Sequence, residues 1–232
     1  TTDPRGEHAR RYLADRGITD DTIESFRMGY APEDGKWLHT FLRRKGYSHE
    51  FLAESGLFSA RRSDWAFFRN RLMFPITTPT GHVVAFGARE LGQGGPKYIN
   101  SAESDLFRKR QTLFGFAENR KRIGETGRVT VVEGYFDVIA LWQAGEQTAV
   151  APLGTQFTDD HARVVRRYAR QGVLLFDADD AGARATQKSA AVFERHGLSC
   201  AVAELPSGTD PADLVRSGNT DTLRATLEHP EE

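Results

Sequence analysis

Two acidic turns, each following a short apolar run, contain the residues of this chain best suited to chemistry. Glu133 follows the run at residues 128–132, and Asp177 and Asp179 follow the run at 172–176. Runs rich in Val and Leu that end at Gly or acidic residues are typical of buried parallel strands, and open α/β sheets bind ligands beyond the carboxyl ends of their strands. If the two strands are neighbours, we expect the three carboxylates to converge at one edge of the sheet.

Carboxylates in such an arrangement repel one another and raise one another's pKa unless a cation is present. Oxygen ligands that leave much of the coordination sphere open suit a Mg²⁺ ion that also holds substrate phosphates. The pattern therefore predicts metal-dependent phosphoryl or nucleotidyl chemistry. The alternative is that Glu133 and Asp177 only favour the starts of the helices that follow, because helix N-termini attract negative charge. Two such junctions and the additional Asp179 favour the metal site.

Charge is unevenly distributed along the 232 residues, although the net charge is −1. Residues 1–122 contain 21 Lys and Arg against 15 Asp and Glu, whereas residues 123–232 contain 10 against 17. A basic half followed by an acidic half predicts a surface that binds a polyanion beside a cation site. Ordinary solvated charge is the alternative interpretation.

Arginines alternate with aromatic residues between positions 61 and 110. This composition suits single-stranded nucleic acid, because the bases stack on aromatic rings while the backbone follows positive charge. We expect Arg69 and Arg71 to contribute to such a surface. Phe68 and Phe74 lie in strand-like segments, and we interpret them as core residues.

The single cysteine, Cys200, excludes a disulfide framework and a cysteine-based zinc site in this chain. The sequence contains no run of 18 apolar residues and no leader-like segment. We therefore expect no membrane partner, no zinc in this fragment and a reducing, cytoplasmic setting. Because the sequence starts at Thr1 without Met, we expect it to be a fragment of a longer protein.

Hydrophobic patterning divides the chain into three parts and predicts an α/β fold. Residues 1–122 are predicted to form a basic α+β subdomain with a hairpin around residues 79–81. Its first part, residues 6–58, is predicted to be helical with short breaks at Gly17, Gly29, Gly35 and Gly46. Residues 123–205 are predicted to form a parallel-sheet βαβ core. Residues 206–232 are predicted to form a short, truncated helical segment.

Two features of the acidic half are interpreted as structural. Gly154 and Thr155 are expected to form a tight turn between a strand and a helix, although such turns can also cradle a phosphate. His161 is expected to begin an exposed helix, and the other histidines show no metal-ligand spacing.

The sequence resembles the catalytic core of bacterial DnaG-type DNA primase, which contains a Toprim fold, over nearly its whole length. The matching motifs are YLADRGI at 12–18, FRNRLMFPI at 68–76, GHVVAFGAR at 81–89, PKYINS at 96–101, FRKR at 107–110, EGYFD at 133–137, LGT at 153–155 and DADDAG at 177–182. The acidic turns alone also fit topoisomerases and other Toprim nucleases. The basic-half motifs upstream of them, in this order, single out primase.

The resemblance implies roles for individual residues. The implied metal-binding acids are Glu133, Asp177, Asp179 and Asp210, the first three of them catalytic. Asp177 would bridge two ions, and Asp137 would support the site. Ala212 stands where the family often has a further Asp, and Asp213 is the candidate substitute. The polar residues implied to line the cleft and the nucleic-acid groove are Arg16, Arg89, Lys97, Asn100 and Lys109.

The implied activity is RNA primer synthesis, in which a 3′-hydroxyl attacks an α-phosphate with two or more Mg²⁺ or Mn²⁺ ions present. Glu133 would be a metal ligand or a general base. The implied partners are a single-stranded DNA template, ribonucleoside triphosphates, the RNA/DNA hybrid product and a replicative helicase that docks on a domain absent here. The implied location is the bacterial cytoplasm, in association with the nucleoid.

Three other functions fit part of the sequence. A Toprim nuclease or topoisomerase-like enzyme would cleave DNA strands with the same acids. An inactive module would bind single-stranded DNA without metal or product. A phosphatase would use Asp177 as its nucleophile, but this interpretation leaves Glu133 and the basic half unexplained.

Overall fold

The computed structural model describes residues 3–92, 94–206, 208–228 and 230. Two sheets organise the fold, one from each half of the chain. No helix in the described part of the chain combines the length and the apolar character needed to cross a membrane.

The basic half combines short helices with an antiparallel sheet. Its helices are α1 at Glu7–Asp15, α2 at Asp20–Ser25, α3 at Trp37–Arg44 and α4 at His49–Glu54. Its strands are β1 at Gly29–Ala31, β2 at Phe58–Ser59, β3 at Arg62–Ala66, β4 at Arg71–Thr77, β5 at Val83–Glu90 and β6 at Tyr98–Asn100. The sheet order is β1-β4-β5-β6, and β2 pairs with β3 separately.

The predicted hairpin is present, since β4 and β5 pair in antiparallel fashion on either side of the 79–81 turn. The predicted break at Gly29 in the helical region 6–58 is a strand rather than a turn, since Gly29–Ala31 pairs with β4 at the edge of the sheet. A three-residue strand is too short to produce an alternating pattern, so its partner strand alone defines it.

The acidic half forms a sheet in the order β11-β10-β8-β9-β7. Its parallel strands are β8 at Arg128–Val131, β9 at Ala149–Pro152, β10 at Gln171–Leu174 and β11 at Ser199–Val202, and the antiparallel edge strand β7 is at Leu113–Phe114. Its helices are α5 at Phe116–Thr126, α6 at Tyr135–Gln143, α7 at Asp159–Val165 and α8 at Asp180–Arg195. The parallel α/β architecture is the predicted one.

The two halves share one hydrophobic core. Helix α6 is buried along its length and packs with Phe74 and Ile76 of β4. The opposite face of the parallel sheet is covered by Phe116, Ile123 and Phe193, on α5 and α8. Burial on both faces explains why the strands are apolar runs rather than alternating sequences.

The boundary between the two sheets does not coincide with the change from basic to acidic composition. Strand β7 joins the parallel sheet although it lies in the basic half, and the predicted boundary at 122/123 falls inside α5. The C-terminal helices, α9 at Pro211–Arg216 and α10 at Thr220–Glu228, place Leu214, Leu223 and Leu227 in the shared core. The C-terminal segment therefore packs on α6 and carries Asp210 toward the sheet edge.

Candidate metal-binding active site

Glu133 and Asp177 meet at the carboxyl edge of the parallel sheet. Strands β8 and β10 are hydrogen-bonded neighbours in parallel register, with Val131 opposite Leu174. Each acid follows its strand by two or three residues, and the Oε1 atom of Glu133 accepts a hydrogen bond from the backbone N–H of Asp177 at 3.0 Å. The structure thus brings together the two acids that the strand pattern places at one edge.

Asp179 and Asp210 lie at helix starts beside this pair. Asp179 is the N-cap of α8, and its Oδ1 atom accepts from the N–H of Gly182 at 2.7 Å. A Cβ atom at Gly182 would overlap the carbonyl oxygen of Asp177, so this glycine allows the helix to begin directly against the acidic turn. Asp210 caps α9 by accepting from the N–H of Asp213 at 2.6 Å.

The acids share one electrostatic environment. Burial and the carboxylates of Glu133, Asp210, Asp179 and Asp213 raise the pKa of Asp177 to about 6. Burial, Asp210 and Asp177 raise the pKa of Asp137 to about 8, although its Oδ2 atom accepts from the N–H of Gly134 at 2.9 Å. Mutual repulsion of this kind is relieved by a cation, which favours the ionised carboxylates.

The donor set fits a hard divalent cation, although it is not a preformed cage. All its members are carboxylates, the ligands that suit Mg²⁺ or Mn²⁺. The residues described by the structure contain no group of three or more His, Cys, Asp or Glu already placed to hold a metal ion. The reason is visible in the local bonds: Asp179 and Asp210 cap helices, and Asp213 pairs with Arg216 at 2.7 Å.

A cavity of about 500 Å³ adjoins the acidic edge. Its lining includes Glu133 and Gly134 of the acidic turn together with Asn100, Lys109 and Gly154. Polar residues of the basic half and the acidic turn therefore line one space that can hold a nucleotide-sized ligand.

The amide of Asn100 is oriented by its neighbours. The hydroxyl of Tyr135 donates to its Oδ1 atom at 2.6 Å, and its Nδ2 atom donates to the carbonyl of Leu153 at 3.2 Å. Tyr135 is buried and stacks on Phe74. The acidic turn thus fixes Asn100 through the residue two positions after Glu133.

Arg16 and Arg89 lie together although they come from distant segments. Both guanidinium groups lie over the rings of Tyr12 and Phe136, at 4.6 to 5.9 Å from the ring centroids. Arg89 also donates to the hydroxyl of Tyr98 at 2.9 Å, while its Nε atom has no hydrogen-bond partner among the described residues. This pair of positive charges at the start of α6 can receive phosphate oxygens.

The remaining predicted basic residues differ in accessibility. Arg69 is exposed, with its guanidinium 5.4 Å from the Trp65 ring, and Lys97 is exposed before β6. Arg71 is buried, pairs with Glu90 at 2.7 Å and donates to the carbonyl of Pro96 at 3.0 Å. Its guanidinium holds the sheet and the following loop together, so we do not include it in a template-binding surface.

Two features beside the site differ from the sequence-based expectation. His161 is fully buried rather than exposed, because its ring bonds to the backbone of Lys109 at 2.9 Å. Tyr135 and the exposed Phe67 line the cavity without having been assigned to it. A Thr-x-x-His capping pattern at 158–161 is the one sequence signal that pointed to an ordered helix start there.

Comparison with known proteins gives one consistent result. Residues 1–120 match the family model described as DNA primase catalytic core, N-terminal domain, and residues 130–215 match a Toprim-like model. The DNA primase of Treponema pallidum (strain Nichols) is 44% identical over 224 residues, covering 97% of this chain and 37% of the relative.

Solved structures agree with the sequence matches. The RNA polymerase domain of Mycobacterium tuberculosis primase DnaG has a TM-score of 0.91 and 32% identity, covering 99% of this chain and 78% of that one. A DnaG primase catalytic domain bound to single-stranded DNA has a TM-score of 0.88 and 35% identity, covering 99% of this chain and 74% of that one. The chain thus spans less than half the length of the full-length relative, and it belongs to the DNA primase catalytic-core family.

Proposed function

We propose that this chain synthesises short RNA primers on single-stranded DNA by metal-dependent nucleotidyl transfer from ribonucleoside triphosphates. The observation that carries the proposal is the cavity that Glu133, Lys109 and Asn100 line together. Metal-ligating acids and groups that bind a triphosphate must share one space for this reaction, because divalent ions held by the acids would also have to reach the phosphates.

The metal site in this proposal consists of Glu133, Asp177, Asp179 and Asp210, and it holds two or more Mg²⁺ or Mn²⁺ ions. When bound, these ions activate the attacking hydroxyl and neutralise charge on the leaving group. Asp137 and Asp213 support the set, since Asp137 lies next to Asp177 and Asp210. The N-capping bonds of Asp179 and Asp210 use one carboxylate oxygen each and leave the other for a ligand.

The basic residues bind and neutralise the reacting phosphates. Lys109 lies in the cavity, and the Arg16 and Arg89 pair lies near its rim, where Tyr98 contacts Arg89. Fixed positive charge near developing negative charge commonly contributes about 10²–10³ in rate. Asn100, whose amide is oriented by Tyr135, is placed to contact the nucleotide.

We propose that the template follows the exposed surface of Arg69, Phe67 and Lys97, beside the half-buried Trp65. Phe67 is 41% exposed and borders the cavity. A template base can therefore stack on its ring while the phosphate backbone of the template reaches Arg69. The DnaG catalytic domain that is similar to this chain was solved with single-stranded DNA bound.

For the whole protein we propose the corresponding cellular role. In this role the enzyme makes primers during replication and leaves an RNA/DNA hybrid as its product. It works with a replicative helicase, in a bacterial cytoplasm next to nucleoid DNA. The identity to a full-length DNA primase supports this role.

The test is RNA synthesis from ribonucleoside triphosphates on single-stranded DNA with Mg²⁺ or Mn²⁺. Asp177→Asn should lower synthesis at least about a hundred-fold, the scale on which even indirect metal contacts act. Asp180→Asn is the matched control, because Asp180 lies exposed in the same turn and has no proposed role, and it should keep near-normal activity.

Stability separates loss of function from loss of fold. The pKa of Asp177 is higher in the folded protein than its ordinary value, so its ionised form disfavours folding at neutral pH when no metal is bound. Asp177→Asn should therefore melt at the same or a higher temperature than wild type in metal-free buffer. Wild-type RNA synthesis by Asp177→Asn, or cleavage of labelled DNA by the wild-type chain without nucleotides, would contradict the proposal.

A further inference from the structure

The turn that carries Lys109 into the cavity has little internal support. Residues Lys109–Gln111 form a single 3₁₀ turn with no side-chain cap and no buried residue of its own. Phe107 and Leu113 anchor the segment on either side of it, since both are buried. A one-turn helix on its own is marginal, so the position of the turn depends on contacts from elsewhere in the chain.

The Oε1 atom of Glu103 accepts from the backbone N–H of Lys109 at 2.9 Å, and the first turn of α7 supplies the contacts to the carbonyl groups of the turn. The hydroxyl of Thr158 donates to the carbonyl of Arg110 at 2.6 Å, and the Nε2 atom of His161 bonds to the carbonyl of Lys109 at 2.9 Å. The side-chain amide of Gln111 donates to the Oδ2 atom of Asp160 at 3.4 Å. Two consecutive carbonyls of the turn are therefore held by residues about fifty positions later in the sequence.

The bonding pattern fixes the tautomer of His161. Its Nδ1 atom accepts a hydrogen bond from the backbone N–H of Thr158 at 3.2 Å, so the ring proton is on Nε2 and is donated to Lys109. The ring is fully buried beside Phe157. A buried histidine that uses both nitrogens on backbone atoms is rigid, and it transfers that rigidity to the turn.

The turn in its observed position places Lys109 in the lining of the cavity that Glu133 and Gly154 also line. The ammonium of Lys109 forms no salt bridge within the part of the chain that the structure describes, so it is available to a phosphate. A displacement of about 1 Å in such a group is enough to lower a reaction rate substantially.

We propose that His161, together with Thr158, is a positioning residue that holds the Lys109 turn and thereby sets where the Lys109 ammonium meets the nucleotide. This inference rests on the proposed function. It extends the set of residues that matter for activity to two at the start of α7, which lie outside the cavity lining and away from the acids of the metal site. His161 acts through Lys109 and has no contact with substrate.

Two substitutions at position 161 separate the contact to the turn from the helix cap. His161→Gln keeps an acceptor for the N–H of Thr158 and a donor for the carbonyl of Lys109. His161→Glu keeps the acceptor, as in an ordinary capping box, but in its ionised form it presents a carboxylate to that carbonyl and cannot donate. At Thr158, Thr158→Ser keeps both bonds, whereas Thr158→Asp keeps the cap and loses the donor to Arg110.

The decisive experiment is a double-mutant cycle with Lys109→Ala, read as kcat/KM for primer extension at varied ribonucleotide concentration. We expect His161→Glu to lower kcat/KM about ten-fold. The share of this loss that comes from a higher KM, and the share that comes from a lower kcat, should be the same as in Lys109→Ala. His161→Gln should stay within about two-fold of wild type. In the Lys109→Ala background, His161→Glu should lower kcat/KM by less than about two-fold, because the effects of substitutions at interacting positions are not additive. Full additivity would overturn the inference, since a general loss of fold acts independently of Lys109.

Hydrogen exchange provides a readout that does not require activity. The amides of Gln111 and Thr112 bond within the turn, to the carbonyls of Arg108 and Lys109. We expect these amides to exchange faster in His161→Glu and Thr158→Asp than in His161→Gln and Thr158→Ser, at equal melting temperature. Equal exchange in all four variants would overturn the inference. A wild-type chain that makes no RNA would contradict the proposed function alone, because the exchange comparison would still decide this one.

Discussion

Replacing His161 by glutamine should remove a pH dependence of stability that the wild-type protein shows in acid. Burial lowers the pKa of His161 from 6.5 to about 4, although hydrogen bonding to the backbone of Lys109 and Thr112 and, to a smaller extent, the charge of Asp160 raise it. Between these two pH values the unfolded chain binds a proton that the folded protein does not bind. The free energy of unfolding must therefore fall as the pH is lowered through this window.

The size of the effect follows from the two pKa values. A shift of one pKa unit corresponds to about 1.4 kcal/mol, so the limiting cost is about 3 kcal/mol and the cost near pH 5 is about 2 kcal/mol. Above about pH 7 the cost vanishes, because histidine is neutral in both states.

Urea unfolding of wild type and His161→Gln near pH 7.5 and near pH 5 measures this difference directly. Glutamine does not titrate, and the carboxylates that protonate in acid are the same in both proteins, so their contributions cancel. We expect wild type to lose about 2 kcal/mol more than the variant between the two pH values. An equal loss in both proteins would refute the argument that His161 is neutral and doubly bonded in the folded state.

Two further predictions concern packing around the site. Gly87→Ala should lower stability by about 1–3 kcal/mol and reduce RNA synthesis, because a Cβ atom there would overlap the Tyr135 hydroxyl that orients Asn100. Gly124→Ala, in open space on α5, should instead be neutral or stabilising by up to about 1 kcal/mol in urea unfolding, and equal behaviour of the two variants would contradict the close contact. Replacing the buried Arg71 by leucine should cost about 3–5 kcal/mol, because its partner acid is left uncompensated. Replacing that acid by leucine as well should recover most of the loss in thermal unfolding, and no recovery would argue against the ion pair as the cause.

The acidic edge was predictable because a local pattern and a general rule of sheet geometry agree. Apolar runs mark β8 and β10, and residues that follow adjacent parallel strands must meet at one edge. Glu133 and Asp177 therefore lie together in the structure as the spacing indicates. Their detailed bonding was not predictable, since capping by Asp179 depends on where α8 begins.

Long-range pairing explains what the sequence did not reveal. Arg71 and Arg69 have the same composition signal, but only the position of Glu90 on β5 shows that Arg71 is internally paired. The burial of His161 likewise depends on Lys109, a residue 52 positions away, and no periodic pattern links the two. The C-terminal helices were predicted, whereas their place in the shared core follows from tertiary packing.

The most direct measurement is diffraction from crystals of the chain soaked with Mn²⁺ and a ribonucleoside triphosphate. The proposed site predicts anomalous peaks about 2.0–2.2 Å from carboxylate oxygens of Asp177 and at least one of Glu133, Asp179 and Asp210, with triphosphate oxygens reaching both the ions and Lys109. Ions bound elsewhere, or a nucleotide seated away from Lys109, would contradict it.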